Sequence, residues 1–174
     1  MAKMQIAYEG NKVLRKKAQE VKVVDHLVGQ LLDDMLDTMH ANNGIGLAAP
    51  QVGISKRIIV IELPDDEDGP IKMINPRIVE KEGSVVGLEG CLSIPNVYGD
   101  VERAEKVVVK GLDEKGKPSR IEASGLLARV FQHEVDHLDG VLFTDVATNV
   151  RAYSKEELEQ AEEEGRYEPA LDTV

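Results

Sequence analysis

The 174 residues predict an α+β fold, in which two amphipathic helices are separated by several short β-strands. Two segments, 25–41 and 126–138, carry apolar residues at helical spacing. The chain between them contains short runs rich in Ile and Val, which are typical of strands. Because 42% of the residues are hydrophobic, a chain of this length can bury one apolar core, and we expect one domain.

The first helix is predicted over residues 25–41, with Asp25 as its N-cap. The apolar residues of one face are Leu27, Val28, Leu31, Leu32, Met35 and Met39. The tripeptide Asn42-Asn43-Gly44 is expected to end this helix. The next segment, GIGLAAPQ at 44–51, has neither helical nor strand periodicity, so we expect a shaped loop there.

Four segments are predicted strands, at 57–63, 73–79, 106–112 and 120–123. The last two are separated by DEKGKP at 113–118, a typical turn sequence, and therefore predict a hairpin. Residues 64–70 are acidic and contain Pro and Gly, which indicates another turn.

The second helix, over 126–138, carries the motif HEVDH, and Gly140 stands where its C-terminus would end. His133 and His137 lie one turn apart on the same helical face, so both imidazoles can bind one metal ion, with Glu134 beside them. A metal with three protein ligands keeps a position for water and presents hydroxide to a carbonyl, while a carboxylate moves the protons. The motif therefore predicts a metal-dependent amide hydrolase.

The motif leaves the third metal ligand open. The pattern HExxHxxGxxH would place a histidine at position 143, where this sequence has Phe143. A second pattern uses a glutamate about twenty residues downstream, near Glu157, but that residue stands among many carboxylates. The remaining candidate is Cys91, the one cysteine of the chain, whose thiolate is a good ligand for zinc or ferrous iron.

The net charge of −11 and the pI near 4.8 argue against nonspecific binding to nucleic acid. Residues 151–174 contain three basic and eight acidic residues, so this segment carries −5 of that charge. Ser154 and Glu157 fit a capping box there. The apolar runs are too short for a membrane span or a signal peptide, so we expect a soluble protein that stays where it is made.

Three segments together resemble one family: GIGLAAPQ at 44–51, EGCLS at 89–93 and QHEVDHLDG at 132–140. They are similar to the peptide deformylases, and the resemblance covers about residues 5–147. It implies antiparallel or mixed β-sheets packed around a central helix that carries HExxH, with an N-terminal helix and a C-terminal acidic helical tail. The catalytic domain would be 1–150, and 151–174 a tail that is helical or partly disordered.

The activity implied by this resemblance is removal of the formyl group from N-terminal formyl-methionine of nascent polypeptides. Metal hydroxide would attack the formyl carbon and formate would leave. The expected partners are N-formyl-methionyl nascent chains, with transient proximity to ribosomes, in the bacterial cytoplasm. Neither a membrane nor sequence-specific nucleic acid is expected, and the acidic tail is not expected to anchor the protein to ribosomal RNA. The alternative is an HExxH zinc endopeptidase with Glu157 as third ligand.

The resemblance also implies residue roles. Cys91, His133 and His137 would bind one divalent ion, usually Fe(II), with Zn(II) or Ni(II) also possible, and Glu134 would be the general acid and base. The side-chain amide of Gln51 and the backbone N–H of Leu92 would bind the formyl oxygen as charge develops on it. The implied substrate-binding residues are Ile45, Gly46, Gly90, Arg129 and Val130, and the first three would pair with the substrate main chain like an added strand.

Two positions depart from the family pattern, and both concern the pocket for the methionine side chain. Arg129 and Gly87 stand where apolar side chains are usual. We expect Arg129 either to lie at the pocket rim with its guanidinium in water or to attract a carboxylate.

Overall fold

The computed structural model describes residues 3–64 and 66–168. Parts of the predicted turn at 64–70 and of the predicted tail at 151–174 thus lie outside the described residues. Short 3-10 helices cover Lys12–Arg15 and Ala49–Val52. The other elements, in chain order, are α1 (His26–Ala41), β1 (Gly46–Ala48), β2 (Ile58–Ile61), β3 (Ile71–Glu82), β4 (Val85–Cys91), β5 (Ile94–Arg103), β6 (Lys106–Leu112), β7 (Pro118–Ser124), α2 (Gly125–Leu138), α3 (Phe143–Val146), β8 (Thr148–Arg151) and α4 (Lys155–Glu163).

Helix α1 begins and ends where the sequence predicts. The Oδ1 atom of Asp25 accepts hydrogen bonds from the backbone N–H groups of Leu27 and Val28, each at 3.1 Å. These bonds satisfy two donors that a first helical turn leaves without a backbone partner. The buried face of α1 packs with residues of β1 and β2 in one apolar cluster, which includes Leu32, Met35, Met39, Leu47, Ile58 and Val60.

A five-stranded antiparallel sheet has the strand order β1-β2-β3-β6-β7. All four predicted strands and the β6–β7 hairpin are confirmed. The hairpin turn is held by Asp113, whose Oδ1 accepts from the N–H groups of Lys115 and Lys117 at 2.9 Å each. Strand β3 is longer than predicted, because its charged end at 80–82 pairs with β6 but gives no apolar signal in the sequence.

A second antiparallel sheet, of order β4-β5-β8, was not predicted. Strand β4 contains two glycines and a buried Glu89, so it lacks the apolar alternation of an ordinary strand. Strand β5 contains Pro95, Asn96 and Gly99, residues that are depleted in strands. This sheet nevertheless carries Cys91 at the end of β4.

The prediction of a shaped loop at 44–51 is wrong in part. Strand β1 lies within this segment and pairs with β2, and a 3-10 helix follows it directly. A strand of three residues that are all buried shows no alternation, and this explains why the sequence did not reveal it.

Helix α2 lies centrally, as the family resemblance implied. One side packs on the five-stranded sheet in the main apolar cluster, through Ala128, Val130, Phe131, Val135 and Leu138. Other side chains of α2 form hydrogen bonds with the second sheet. Gly140 follows the helix with a φ of +74°, and a Cβ there would lie 2.6 Å from the carbonyl oxygen of Arg15. The predicted C-terminal signal is confirmed.

The segment after residue 150 packs against the second sheet. The predicted capping box is present, because Ser154 Oγ accepts from the N–H of Glu157 at 3.1 Å at the start of α4. Leu88, Ala161 and Tyr167 form a small buried cluster, and the N–H of Leu88 donates to the carbonyl of Arg166 at 2.7 Å. Residues 169–174 of the predicted tail lie outside the described residues.

Among the described residues, no helix has the length and apolar character needed to cross a membrane.

Candidate metal centre

The two histidines of HEVDH and the cysteine of EGCLS meet at one buried point. His133 and His137 project from α2 with their Nε2 atoms 3.2 Å apart. The Cys91 sulfur, from the end of β4, lies 3.5 Å from Nε2 of His137. The potential ligand atoms of these three residues lie within 4.8 Å of one another, so they can contact one ion.

The hydrogen bonding of the histidines fits a metal site. Nδ1 of His133 lies 2.9 Å from Oε1 of Glu89, which only accepts, so the ring proton lies on Nδ1 and the Nε2 lone pair faces the other two ligands. Burial lowers the pKa of His137 well below its usual value, and the neighbouring His133 and Arg103 act in the same direction. The neutral imidazole favoured by this shift is the form that binds metals.

The thiol of Cys91 would be inert without a cation nearby. Its side chain is buried, and burial together with the charges of Glu134 and Glu89 raises its pKa. A divalent cation acts in the opposite direction and favours the thiolate. Two imidazoles and a thiolate that converge on one point suit zinc or ferrous iron.

Glu134 is fully buried, and neither of its carboxyl oxygens has a hydrogen-bond partner among the described residues. Oε1 lies 4.0 Å from Nε2 of His137. Burial and the charges of Glu89 and Asp136 raise the pKa of Glu134 well above its usual value. A buried carboxyl group without a protein partner beside a metal-ligand cluster is suited to accept and return a proton.

Glu89 links this cluster to two buried arginines. It accepts from Arg103 at 3.0 Å on each carboxyl oxygen and from Arg129 at 2.6 Å. Burial tends to raise the pKa of Glu89, but the hydrogen bonds from His133 and Arg103 outweigh that effect and hold the pKa well below its usual value. Glu89 is therefore a carboxylate. Sequence reasoning missed the roles of Glu89 and Arg103, because burial of a charged residue is not visible in a local pattern.

Gln51 lies beside Cys91. Its Oε1 accepts from the N–H of Ala48 at 3.0 Å, and its Nε2 lies 3.6 Å from the Cys91 sulfur and 3.2 Å from Oγ of Ser93. The bond to Ala48 fixes the amide so that its donor end faces the cluster. Leu92 follows Cys91 in the turn between β4 and β5.

Two of the three candidate substrate-pairing residues lie on sheet edges, and the third, Ile45, directly precedes β1, with its carbonyl accepting from the N–H of Glu62 at 2.9 Å. Gly46 belongs to β1, the outer strand of the five-stranded sheet, and Gly90 belongs to β4, the outer strand of the other sheet. A Cβ at Gly46 would lie 2.8 Å from Oε2 of Glu134 and 2.9 Å from Cγ1 of Val130. Gly46, Val130 and Glu134 therefore border the same space, and glycine is required there for close approach.

Arg129 does not reach solvent, so the first of its two expected positions is wrong. The residue is 6% exposed, and its guanidinium donates to Glu89 and to the carbonyls of Val85 and Val101. The carboxylate that it attracts is thus one of the protein's own. Gly87 lies against the same guanidinium.

Glu157 is not part of the cluster, and its assignment as a third ligand is wrong. It lies on α4, is paired with Arg151 at 2.5 Å, and is half-buried. Phe143, at the position where another peptidase pattern has a histidine, instead stacks on His133 with ring centroids 6.3 Å apart.

A sequence profile of the polypeptide deformylase family matches residues 3–153. The chain belongs to this family. The peptide deformylase of Symbiobacterium thermophilum is 54% identical to it over 165 residues, which cover 94% of this chain and 76% of that protein. Peptide deformylase 1 of Bacillus subtilis is 50% identical over 162 residues, which cover 93% of this chain and 99% of that protein.

Solved structures of deformylases have the same fold. The crystal structure of a deformylase from Synechococcus elongatus in complex with actinonin is 47% identical with a TM-score of 0.80, covering 100% of this chain and 93% of that one. A deformylase from Legionella pneumophila is 43% identical with a TM-score of 0.81, covering 93% of this chain and 92% of that one. The predicted family, α+β fold and deformylase function are confirmed, and the endopeptidase alternative is not favoured.

Proposed function

We propose that this deformylase removes the formyl group from formyl-methionyl peptides at a ferrous ion held by Cys91, His133 and His137. The observation that carries the proposal is the convergence of these three side chains beside Glu134, whose buried carboxyl group has no hydrogen-bond partner among the described residues. When bound, the ion supplies Lewis acidity and lowers the pKa of a water molecule toward neutrality.

Glu134 moves the protons. It accepts a proton from the water that attacks the formyl carbon and returns it to the methionine nitrogen as formate leaves. Burial and neighbouring negative charges raise the pKa of Glu134, so the carboxyl group can hold the proton between the two steps. Oε1 of Glu134 lies 4.0 Å from Nε2 of His137, next to the ligand cluster, and this position supports the role of Glu134 in proton transfer.

Gln51 and Leu92 stabilise the oxygen of the formyl group as it becomes negative. The amide of Gln51 is already oriented by its bond with Ala48, and the N–H of Leu92 follows the ligand Cys91 directly in the chain. A preoriented donor of this kind contributes about 2.7–4 kcal/mol to transition-state stabilisation.

The substrate main chain pairs with the edges of β1 and β4, through Ile45, Gly46 and Gly90. Added-strand binding uses backbone hydrogen bonds, so it tolerates many sequences after the first residue. Val130 borders the space for the methionine side chain. Arg129 contributes only its aliphatic stem to substrate binding, since its guanidinium is bound to Glu89.

The ion, the location and the partners are part of the same proposal. Two imidazoles and a thiolate also bind Zn(II) and Ni(II), so the ion bound in cells depends on availability. The enzyme acts in the bacterial cytoplasm on chains that emerge from ribosomes. The −5 charge of residues 151–174 opposes contact with ribosomal RNA, so this segment does not anchor the protein there.

The proposal is tested by formate release from an N-formyl-methionyl peptide, with protein purified without oxygen and its metal content measured. We expect formate with Fe(II) or Ni(II) bound, and a faster loss of activity in air for the Fe(II) form. An N-acetyl-methionyl peptide is the matched control for the acyl group. Absence of formate with either ion loaded on the three ligands would contradict the proposal.

A further inference from the structure

Gly87 and Arg129 fit each other in space. An ideal Cβ on Gly87 would lie 3.0 Å from Cζ of Arg129, 3.1 Å from its Nη2 and 3.3 Å from its Nε. These distances are shorter than ordinary van der Waals contacts, so any side chain at position 87 pushes against the guanidinium. Glycine on β4 therefore makes room for an arginine on α2.

The guanidinium is held in this space from three directions. Nη1 of Arg129 donates to Oε2 of Glu89 at 2.6 Å and to the carbonyl of Val101 at 3.1 Å. Nη2 donates to the carbonyl of Val85 at 2.9 Å. The side chain is only 8% exposed. Arg129 thus joins α2 to both strands of the β4–β5 pair and to Glu89.

These bonds complete the set of donors around Glu89. Its Oε2 accepts from Nε of Arg103 at 3.0 Å and from Arg129, and its Oε1 accepts from Nη2 of Arg103 at 3.0 Å and from Nδ1 of His133 at 2.9 Å. A carboxylate has about four acceptor positions, and all four are used here. The fixed planes of two guanidinium groups leave the carboxylate one orientation.

We propose that Arg129, for which Gly87 leaves space, is a positioning residue for the metal centre. It fixes the carboxylate of Glu89 so that Oε1 holds the Nδ1–H of His133, and the Nε2 lone pair of His133 stays directed at the ion. The effect is slower dissociation of the metal. This inference rests on the proposed role of His133 as a metal ligand.

A simpler role for Arg129 would be to tie α2 to β4 and β5. That role predicts loss of stability without any effect on the metal. Arg57 offers a matched control, because it also donates to two backbone carbonyls, of Ala18 and Leu138, and pairs with a carboxylate, Asp139. The Arg57 side chain is 13% exposed.

The test uses Arg129→Met, Gly87→Ala, the double variant and Arg57→Met, each stripped and reloaded with Co(II). Two properties are measured: the rate at which Co(II) passes to a chelator and the d–d absorption spectrum of the bound ion. Loss of a hydrogen bond that orients a ligand weakens metal binding about 10- to 100-fold, so we expect Arg129→Met to release Co(II) about tenfold faster or more, with an altered spectrum. Gly87→Ala should give a smaller change in the same direction.

The double variant tests the link between the two positions. Because Gly87→Ala acts by displacing the guanidinium, it should add nothing once Arg129 is Met. Arg129→Lys keeps the positive charge and one donor group, so we expect it to retain Co(II) better than Arg129→Met. If Arg129→Met does not fold, Arg129→Lys and Gly87→Ala together replace it in the test. The unfolding free energy of each metal-free protein is measured in parallel. Arg57→Met should lower this free energy without changing the Co(II) release rate or the spectrum.

Wild-type release rate and spectrum in Arg129→Met, or in Arg129→Lys and Gly87→Ala if the methionine variant does not fold, would overturn the proposal. Additive effects in the double variant would also overturn it, since Gly87 would then act independently of Arg129. Failure of the proposed function is distinguishable, because it appears in the wild-type protein itself, which would then retain no Co(II) on its three ligands or would release no formate when loaded with metal.

Discussion

Nδ1 of His133 lies 2.9 Å from Oε1 of Glu89, and this hydrogen bond joins the ligand cluster to the buried arginines. It fixes which ring nitrogen carries the proton and so which nitrogen is free to bind a metal. The charge of Glu89 is balanced by Arg103, which donates to both of its carboxyl oxygens. The chemistry of the site therefore depends on a residue that does not contact the ion.

Glu89→Gln is expected to lower the unfolding free energy of the metal-free protein by about 3–5 kcal/mol, because two buried arginines lose their shared carboxylate. Asp136→Asn, which removes a partly exposed partner of Arg103, is the control and should cost about 1 kcal/mol or less. Chemical denaturation of the metal-free variants measures both values. Equal losses would show that the burial of Glu89 is energetically unimportant.

The contribution of Glu89 should also depend on pH. Its pKa is lowered in the folded protein, so its stabilisation is complete above the unfolded pKa of about 4.3. Below that pH the unfolded chain binds a proton that the folded protein does not, and the stabilisation is lost as the pH falls through the lower folded pKa. The stability difference between wild type and Glu89→Gln should therefore be constant from pH 7 to 5 and shrink in more acidic solution. A difference that grows on acidification would contradict this sign.

Cys91→Ala is expected to abolish retention of a divalent ion, because only two imidazoles remain of the three converging ligands. Metal content after dialysis against a weak chelator measures this loss. Ser93→Ala is the control, since Ser93 is equally buried next to Gln51 but offers no ligand to the cluster. Full metal content in Cys91→Ala would require a different third ligand.

Gln51→Glu should separate the two functions of the Gln51 amide. Glutamate keeps the oxygen that accepts from Ala48 but lacks the donor that faces Cys91. We expect kcat to fall about 100- to 1000-fold with a small change in KM, because the donor acts on charge that develops in the transition state. If KM rises and kcat stays constant, Gln51 binds the ground state only.

Tyr167→Ala is expected to lower the unfolding free energy by about 2–4 kcal/mol, because it removes a buried ring from the cluster formed with Leu88 and Ala161. The ring of Tyr167 also contacts that of Tyr98 edge to face, with centroids 6.1 Å apart. Glu163→Ala, an exposed change on α4, should alter stability by less than about 0.5 kcal/mol. No loss in the tyrosine variant would mean that the segment after residue 150 contributes little to the fold.

The sequence predicted the parts of the fold that follow simple periodicity. Helix α1 has a repeating apolar face and Asp25 at its start, and the β6–β7 hairpin has two short strands with β-branched residues around a polar turn. Strands β4 and β5 were missed because their residues serve the site. Gly87 makes room for Arg129, and Glu89 and Arg103 bury opposite charges, so these strands lack the pattern that propensity rules detect.

The same distinction holds for the site. The spacing of HEVDH placed two histidines and Glu134 on one helix face, but a local pattern contains no information about a ligand from another strand. Elimination left Cys91 as a candidate, and only the resemblance of EGCLS to a family assigned it as the third ligand. The final position of Arg129 depended on a partner forty residues away, Glu89, which no helical spacing could reveal.

The central claim is that Glu134 moves the proton while Cys91, His133 and His137 hold the ion. Its most direct test compares Glu134→Ala with wild type in formate release from an N-formyl-methionyl peptide, with metal content measured on the same samples. We predict a near-complete loss of formate release with metal content unchanged. A Glu134→Ala enzyme that retains wild-type turnover would contradict the account.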